Sequence, residues 1–394
     1  MSEASTLMPK PEAGLPRFAF RGARGAVLGR GSEAALPPGT ATDLALRIET
    51  ALADAPAGSL IGGALPFDRA APDCLWRAQA AASPALAEAP LGLPLARWQL
   101  AAEPSAQSYA NAVAQALAVM QAEAGQPGGL EKIVLARSLK IRAEAPIPVA
   151  ALMARLGLDP AVTAFEVALP PRAGQARTLC GATPELLLEK NGAVIASHPL
   201  AGSAPRDGDP DRDRAAAEAL MRSDKDHREH AIVVESILDV LAPWCRELSV
   251  PAGTTLTSTR SMWHLGTRIE GRLKDPRLSS AVLAAALHPT PAVCGVPLAR
   301  AGALIRALEP VDREFYAGAV GWCDAQGDGA WYVAIRCAEI CGAEARLYAG
   351  AGIVPGSDPM AEAAETGAKF GAFLQALGLP PDAGLEGVAR NGDD

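Results

Sequence analysis

Residues 331–374 constrain the chain more than any other stretch. They read WYVAIRCAEI, then LYAGAGIVPGSDPMAEAAETGAKFGAFL. The first segment alternates small and large residues as a strand does, with Arg336 on the side shared by Tyr332, Ala334 and Ala338. A glycine-rich turn with Gly350, Gly352 and Gly356 is expected next. Ser357, Asp358 and Pro359 have the chemistry of a helix start: a capping side chain, then a proline whose missing N–H costs nothing there. On that helix Glu362, Glu365 and Lys369 share one face, because residues three or four apart are neighbours. Two carboxylates and an ammonium beside free backbone amides suit a divalent cation and an anionic ligand.

The rest of the chain fills in a body around this unit. At 394 residues, 49% of them hydrophobic, it can build a large core. The formal net charge of −8 argues against a general nucleic-acid binder. No apolar run reaches the ~20 residues of a membrane span, and the first residues lack the apolar core of a signal peptide. A cytoplasmic protein is expected. The seven cysteines are irregularly spaced. They complete no zinc pattern and read as buried thiols.

Strand-like runs occur at 15–100 around one helix, then from Lys132 onward, where KIVLARSLKI, AFEVALP, RTLCGATPELLLEK and AVIASHPLAG follow one another. An amphipathic helix is expected over 104–125 and a single long helix over 211–241. Shorter helices fall near 278–287 and 298–308, and strands at 316–323 and 331–340. Runs of strands separated by helices indicate an α+β protein with antiparallel sheets. One domain over 15–378 is expected, with its signature segments at 130–375 and flexible ends at 1–14 and 379–394.

Several further residues carry chemical potential. Lys132 opens an apolar strand; it could be an edge residue with its head in water, or a general base if both faces are covered. Glu185 precedes three leucines. It could be a charge at a strand entrance, or a partly buried carboxyl that stays protonated and acts as an acid. SDKDHREH carries Asp226 and Glu229 at i, i+3, matching Glu362 and Glu365 on the later helix. Two such acidic pairs suit Mg²⁺ better than a soft metal. His227 and His230 lack a third ligand at zinc spacing. HPLAGS, at 198–203, looks like an amide-donating loop.

KIVLAR, GATPELLL, HPLAGSAPR, SDKDHREH, MWHLGT, HPTPAVCGVP, FYAGAVGW, YVAIRCAEI and AGAGIVPGSDPMAEAAET occur in this order. Together they resemble the signatures of the chorismate-utilising enzymes: isochorismate, salicylate, anthranilate and aminodeoxychorismate synthases. The resemblance implies that family's α+β fold, two antiparallel sheets face to face with helices outside. It implies chorismate as substrate and Mg²⁺ as cofactor. Lys132 would be the base and Glu185 the acid. Glu229 and Glu365 would ligate the metal, with Asp226 and Glu362 behind them through water. Tyr316, Arg336 and Lys369 would contact carboxylates, and His264 the substrate ring. Gly202, Ser203 and Gly352 would donate from loops, and Ala292 and Val293 would line the ring. Relatives with a covalent lysine carry it in the PIKGT loop, where this chain has Ala201. Anthranilate-type relatives often carry Thr where this chain has Ala292. The wording is most like isochorismate synthases of siderophore pathways, with salicylate synthase as the alternative and an ammonia-using subunit as a further one. A monomer without an obligatory glutaminase partner is expected.

Overall fold

The computed structural model describes residues 16–23, 25–31, 35–81 and 97–386. The expected flexible stretch at 1–14 lies outside these. Within them, 17 strands form one continuous antiparallel ladder and three more form a small separate sheet. The ladder begins where Trp98–Glu103 and Gly295–Val296 lie along the same edge of Lys132–Ala143. It continues through Glu344–Ile353, Cys337–Cys341, Gln175–Thr183, Thr163–Arg172 and Phe18–Gly22. A tight hairpin couples Phe18–Gly22 to Gly25–Arg30. Beyond it come Cys74–Ala81, Ser59–Leu65, Ala319–Asp324, Gly329–Val333, Leu186–Asn191, Val194–His198, Ile269–Leu273 and Cys245–Ser249.

The two halves of this ladder share one core. Ile133 and Phe165 from the first half pack in the same buried cluster as Ile61, Val320 and Trp331 from the second. This is the α+β arrangement of antiparallel sheets and covering helices expected above. Joining the halves through a hairpin leaves only the two outer ends of the ladder as edges. A second cluster lies under the helix Pro359–Leu377, where Phe370, Phe373 and Leu374 meet Leu139, Ile141 and Leu347.

Several elements differ from the expected ones. The helix expected over 211–241 is two, Pro210–Arg222 and Asp224–Leu241. Ser223 separates them with an extended backbone, and its hydroxyl accepts from Asp226 N–H at 3.2 Å. An N-cap of this kind stabilises a helix start by about 1 kcal/mol and ends the preceding helix. The strand read through Arg336 is also two, Gly329–Val333 and Cys337–Cys341, one in each half of the ladder. Residues 334–336 carry the chain between them, with Arg336 at φ +51°. Lastly, residues 379–386, expected to be a free end, are packed. Leu379 and Ala383 are buried, and the Gly384 carbonyl accepts from Arg137.

The small sheet orders Leu200–Pro205, Met262–Thr267 and Thr254–Ser258. The helices Pro210–Arg222 and Asp224–Leu241, which follow the first of these strands in the chain, pack against Leu200–Pro205 and Met262–Thr267. HPLAGS is therefore strand rather than loop, with a bulge between Ala201 and Ser203. The helix expected over 104–125 runs Ala106–Ala122, capped by Ser105. The described cysteines are all free thiols, and only Cys341 is not fully buried. No helix among the described residues is long and apolar enough to cross a membrane.

Candidate active site

Lys132 begins the longest strand of the ladder, and every residue from 132 to 139 is buried. Both faces are covered, so the edge-residue reading falls. Lys132 is 0% exposed. Its ammonium lies 3.0 Å from Glu229 Oε1, as a charge contact rather than an aligned hydrogen bond. Glu229 comes from the helix Asp224–Leu241, and its carboxylate lies over the backbone of Gly352. A Cβ on Gly352 would stand 2.0 Å from Glu229 Oε1. Gly352 sits within the strand Glu344–Ile353, opposite Val134. It is thus a clearance residue in a strand, not a loop donor. Gly202 similarly admits the helix. It has φ +77°, and a Cβ there would meet the Asp226 side chain at 2.9 Å.

Glu185 lies between the strands Gln175–Thr183 and Leu186–Asn191 and is 3% exposed. Burial pushes its carboxyl up to about 8; a backbone hydrogen bond from Leu200 and the charges of Lys132, Arg336 and Lys369 limit the rise. At neutral pH it is largely a neutral acid. Arg336 reaches the same cavity from the crossing between the ladder halves. Its guanidinium makes no hydrogen bond or ion pair among the described residues, and burial lowers its pKa. A desolvated guanidinium without a carboxylate is costly unless a ligand supplies one. His264 is buried and held well below the usual imidazole range by burial and by Arg336 and Lys369. Its Nε2 has no partner among the described residues.

Four carboxylates border the cavity, and lysines stand against three of them. Glu229 faces Lys132, Glu362 accepts from Lys225 at 2.8 Å, and Glu365 lies 2.5 Å from Lys369. Burial would raise Glu365, but Lys369 and the Ser203 hydroxyl, at 2.9 Å, hold it low. Burial and the Glu365 charge raise Glu362. Burial likewise raises Asp226, with Glu229 adding to the effect. As they stand, no three Asp, Glu, His or Cys side chains among the described residues converge closely enough to grip one ion. The donor set nevertheless fits a hard divalent cation. It is all oxygen, its charges repel one another, and Gly352 leaves a cradle for the Glu229 carboxylate.

Fourteen of the fifteen residues singled out from the sequence line this one cleft of about 820 Å³. They are Glu185, Gly202, Ser203, Asp226, Glu229, His264, Ala292, Val293, Tyr316, Arg336, Gly352, Glu362, Glu365 and Lys369. The fifteenth, Lys132, lies behind Glu229. His227 and His230 lie outside the cleft lining. His227 contacts the Met221 carbonyl and His230 the Thr267 hydroxyl.

A family model described as chorismate binding enzyme matches residues 73–378, more than half of the chain. The chain belongs to this family. Isochorismate synthase DhbC of Bacillus subtilis is 46% identical over 279 residues, covering 70% of this chain and 69% of that protein. A putative isochorismate synthase, MenF, of Mycobacterium tuberculosis is 41% identical over 391 residues, covering 96% and 99%. Among solved structures, a putative 2,3-dihydroxybenzoate-specific isochorismate synthase, DhbC, from Bacillus anthracis superposes with a TM-score of 0.85. It shares 37% identity and covers 92% of this chain and 96% of that one.

Within this family member, the sequence reading passed over Lys225 and Tyr348, both at the cleft. Lys225 is legible as the i, i+4 neighbour of Glu229, in the first turn of the helix. Tyr348 was not. It stacks on Tyr316 with ring centroids 4.7 Å apart and planes 9° from parallel, a contact that only the folded chain creates.

Proposed function

We propose that the chain is a Mg²⁺-dependent isochorismate synthase that converts chorismate to isochorismate with water as nucleophile. One observation carries this reading. A buried, protonated carboxyl, Glu185, shares a carboxylate-lined cleft with the unpaired guanidinium of Arg336, and the buried Lys132 stands 3.0 Å from Glu229 in the wall of that cleft. An acid in the cleft and a base at its wall suit the exchange of one allylic hydroxyl for another. Lys132, its ammonium proton first given up to solvent, takes a proton from water as the water oxygen bonds to C2. The ring double bonds shift, the C4–O bond breaks, and Glu185 protonates the departing hydroxyl, which leaves as water. Solvent then reprotonates Glu185, and Lys132 is again the ammonium.

Arg336, Tyr316 and Lys369 would hold the substrate carboxylates, with His264, Ala292 and Val293 against the ring. Gly202 and Ser203 would present the bulged strand to it. Glu229 and Glu365 would ligate Mg²⁺, with Asp226 and Glu362 bound through water. When bound, the ion supplies positive charge that orients a substrate carboxylate. Ala201 offers no amine for a covalent intermediate, which supports water as the nucleophile without an ammonia-supplying subunit. The likeness to a 2,3-dihydroxybenzoate-specific enzyme favours siderophore supply as the fate of the product.

The test is purified protein with chorismate and Mg²⁺, products separated by chromatography. Isochorismate should coexist with residual chorismate, and excess chelator should abolish turnover. Stoichiometric pyruvate release would replace this reading with salicylate synthase. Anthranilate formed on adding ammonium would replace it with the ammonia-using alternative.

A further inference from the structure

A second cavity, of about 1090 Å³, adjoins the catalytic cleft. Pro184, Arg336 and Lys369 line both spaces, so the two meet at the groups that would hold substrate carboxylates. This second cavity is bordered by Arg155 at the end of the helix Val149–Leu156 and by Arg260 in the turn 259–261 before Met262. Phe373 and Ala376 supply an apolar wall from the helix Pro359–Leu377.

The charge balance of this space is one-sided. Arg155, Arg260 and Arg336 line it against one acid, Asp159, together with Lys369, which is paired with Glu365 from the catalytic cleft. Asp159 is itself engaged by backbone: Oδ1 accepts from Ala161 N–H at 3.0 Å and Oδ2 from Arg260 N–H at 2.8 Å. The Arg155 and Arg260 guanidiniums make no hydrogen bond or ion pair among the described residues. Arg155 stands near the C-terminal cap of the helix Pro359–Leu377, 3.7 Å from where a Cβ on Gly378 would lie. Its charge there opposes the negative end of the helix dipole but uses up no donor. The whole chain carries −8, so a dianion approaching at random meets net repulsion.

We propose that this second cavity is a cationic vestibule for a dicarboxylate ring substrate, in which Arg155 and Arg260 capture the ligand before Arg336 and Lys369 receive it. The two arginines act on association, not on the chemical step. The proposal rests on the dianionic substrate class of the function proposed above. Focused charge in a cleft raises association rates by roughly 10–10³-fold, falling with ionic strength.

The decisive measurement is stopped-flow tryptophan fluorescence with 3-carboxymethoxybenzoate, an unreactive aromatic dianion, from low to high potassium chloride. Arg155→Gln with Arg260→Gln should slow association about tenfold at low salt and flatten the salt dependence. The Lys counterparts at both positions should restore it. Arg246→Gln with Arg272→Gln, outside both cavities, removes the same net charge and should leave the rate within twofold. In parallel, kcat for chorismate should be retained by the vestibule variant while kcat/KM falls. An association rate within twofold of the unaltered protein, with a parallel salt slope, overturns the vestibule. Unaltered protein that binds the dianion with the predicted salt dependence but does not turn over chorismate overturns the proposed function and leaves the vestibule standing.

Discussion

At the scale of single residues, burial sets the proton inventory of the cleft. Glu185 titrates near 8 because water is excluded from it. Its folded pKa lies above the unfolded value of about 4.3. Its contribution to stability is therefore full below about pH 4 and is lost as pH rises through 8. The acid form needed for hydroxyl departure is lost over the upper part of that range. Forward kcat should fall above pH 8 with the slope of one group, and a profile flat to pH 9.5 would exclude Glu185 as the acid. Glu185→Gln should lose roughly 10²–10⁴-fold in turnover while still binding substrate. Gly352→Ala tests the cradle. The added methyl would stand 2.0 Å from a carboxylate oxygen that can swing aside. The chain should still fold, with a lowered melting temperature because the same oxygen faces the buried Lys132, while Mg²⁺ affinity measured by calorimetry drops at least tenfold. Normal metal affinity in a folded Gly352→Ala protein would show that Glu229 does not work from that cradle.

Secondary-structure elements position these groups through a few buried polar ties. Arg313 donates to the carbonyls of Val134 and Val293, both at 2.7 Å, and pairs with Glu309 at 2.5 Å. It thereby joins the strand that starts at Lys132 to the turn that carries Ala292. The Glu309 carboxylate in turn accepts from Ala136 N–H at 2.8 Å. Arg137 does the equivalent for the helix Pro359–Leu377, reaching Thr366 at 2.7 Å and the Ala363 carbonyl at 3.2 Å. That tie sets Glu362, Glu365 and Lys369 against the ladder. Removing one partner of a buried ion pair leaves the other charge uncompensated, at a cost of about 3–5 kcal/mol. Arg313→Met should lower the calorimetric unfolding temperature by several degrees and lower kcat together. A variant with unchanged unfolding temperature would show that the tie is dispensable. The capped starts of these helices were readable locally, because a cap concerns residues within one turn. The break at Ser223 was readable too, since Ser-x-x-Asp resembles a capping box.

On the scale of the whole molecule, the cleft lies where the folded ladder, the small sheet and two helices meet. Negative charges from separate elements are brought together there and balanced by lysines. A cation that binds the folded chain and not the unfolded one must stabilise it by mass action. Mg²⁺ should therefore raise the unfolding temperature in a concentration-dependent way even without substrate. Glu229→Gln combined with Glu365→Gln should abolish the shift, and a persistent shift would place the ion elsewhere.

Local sequence specifies which chemistry is present and roughly where it sits on the chain. Acidic pairs at i, i+3, capped helix starts, apolar strands and ordered family signatures all depend on neighbours within a few residues. Tertiary structure alone decided how those groups meet. Lys132 and Glu229 are far apart in sequence but 3.0 Å apart in space. Arg336 left the expected strand because the chain crosses there between ladder halves, which no local alternation reports. Gly350 and Gly352 looked like turn glycines, yet they lie in a strand, where Gly352 leaves room for a carboxylate from a distant helix. The protonation of Glu185 follows from water excluded by the folded layers around it, a property of the assembled cleft rather than of the segment that carries it.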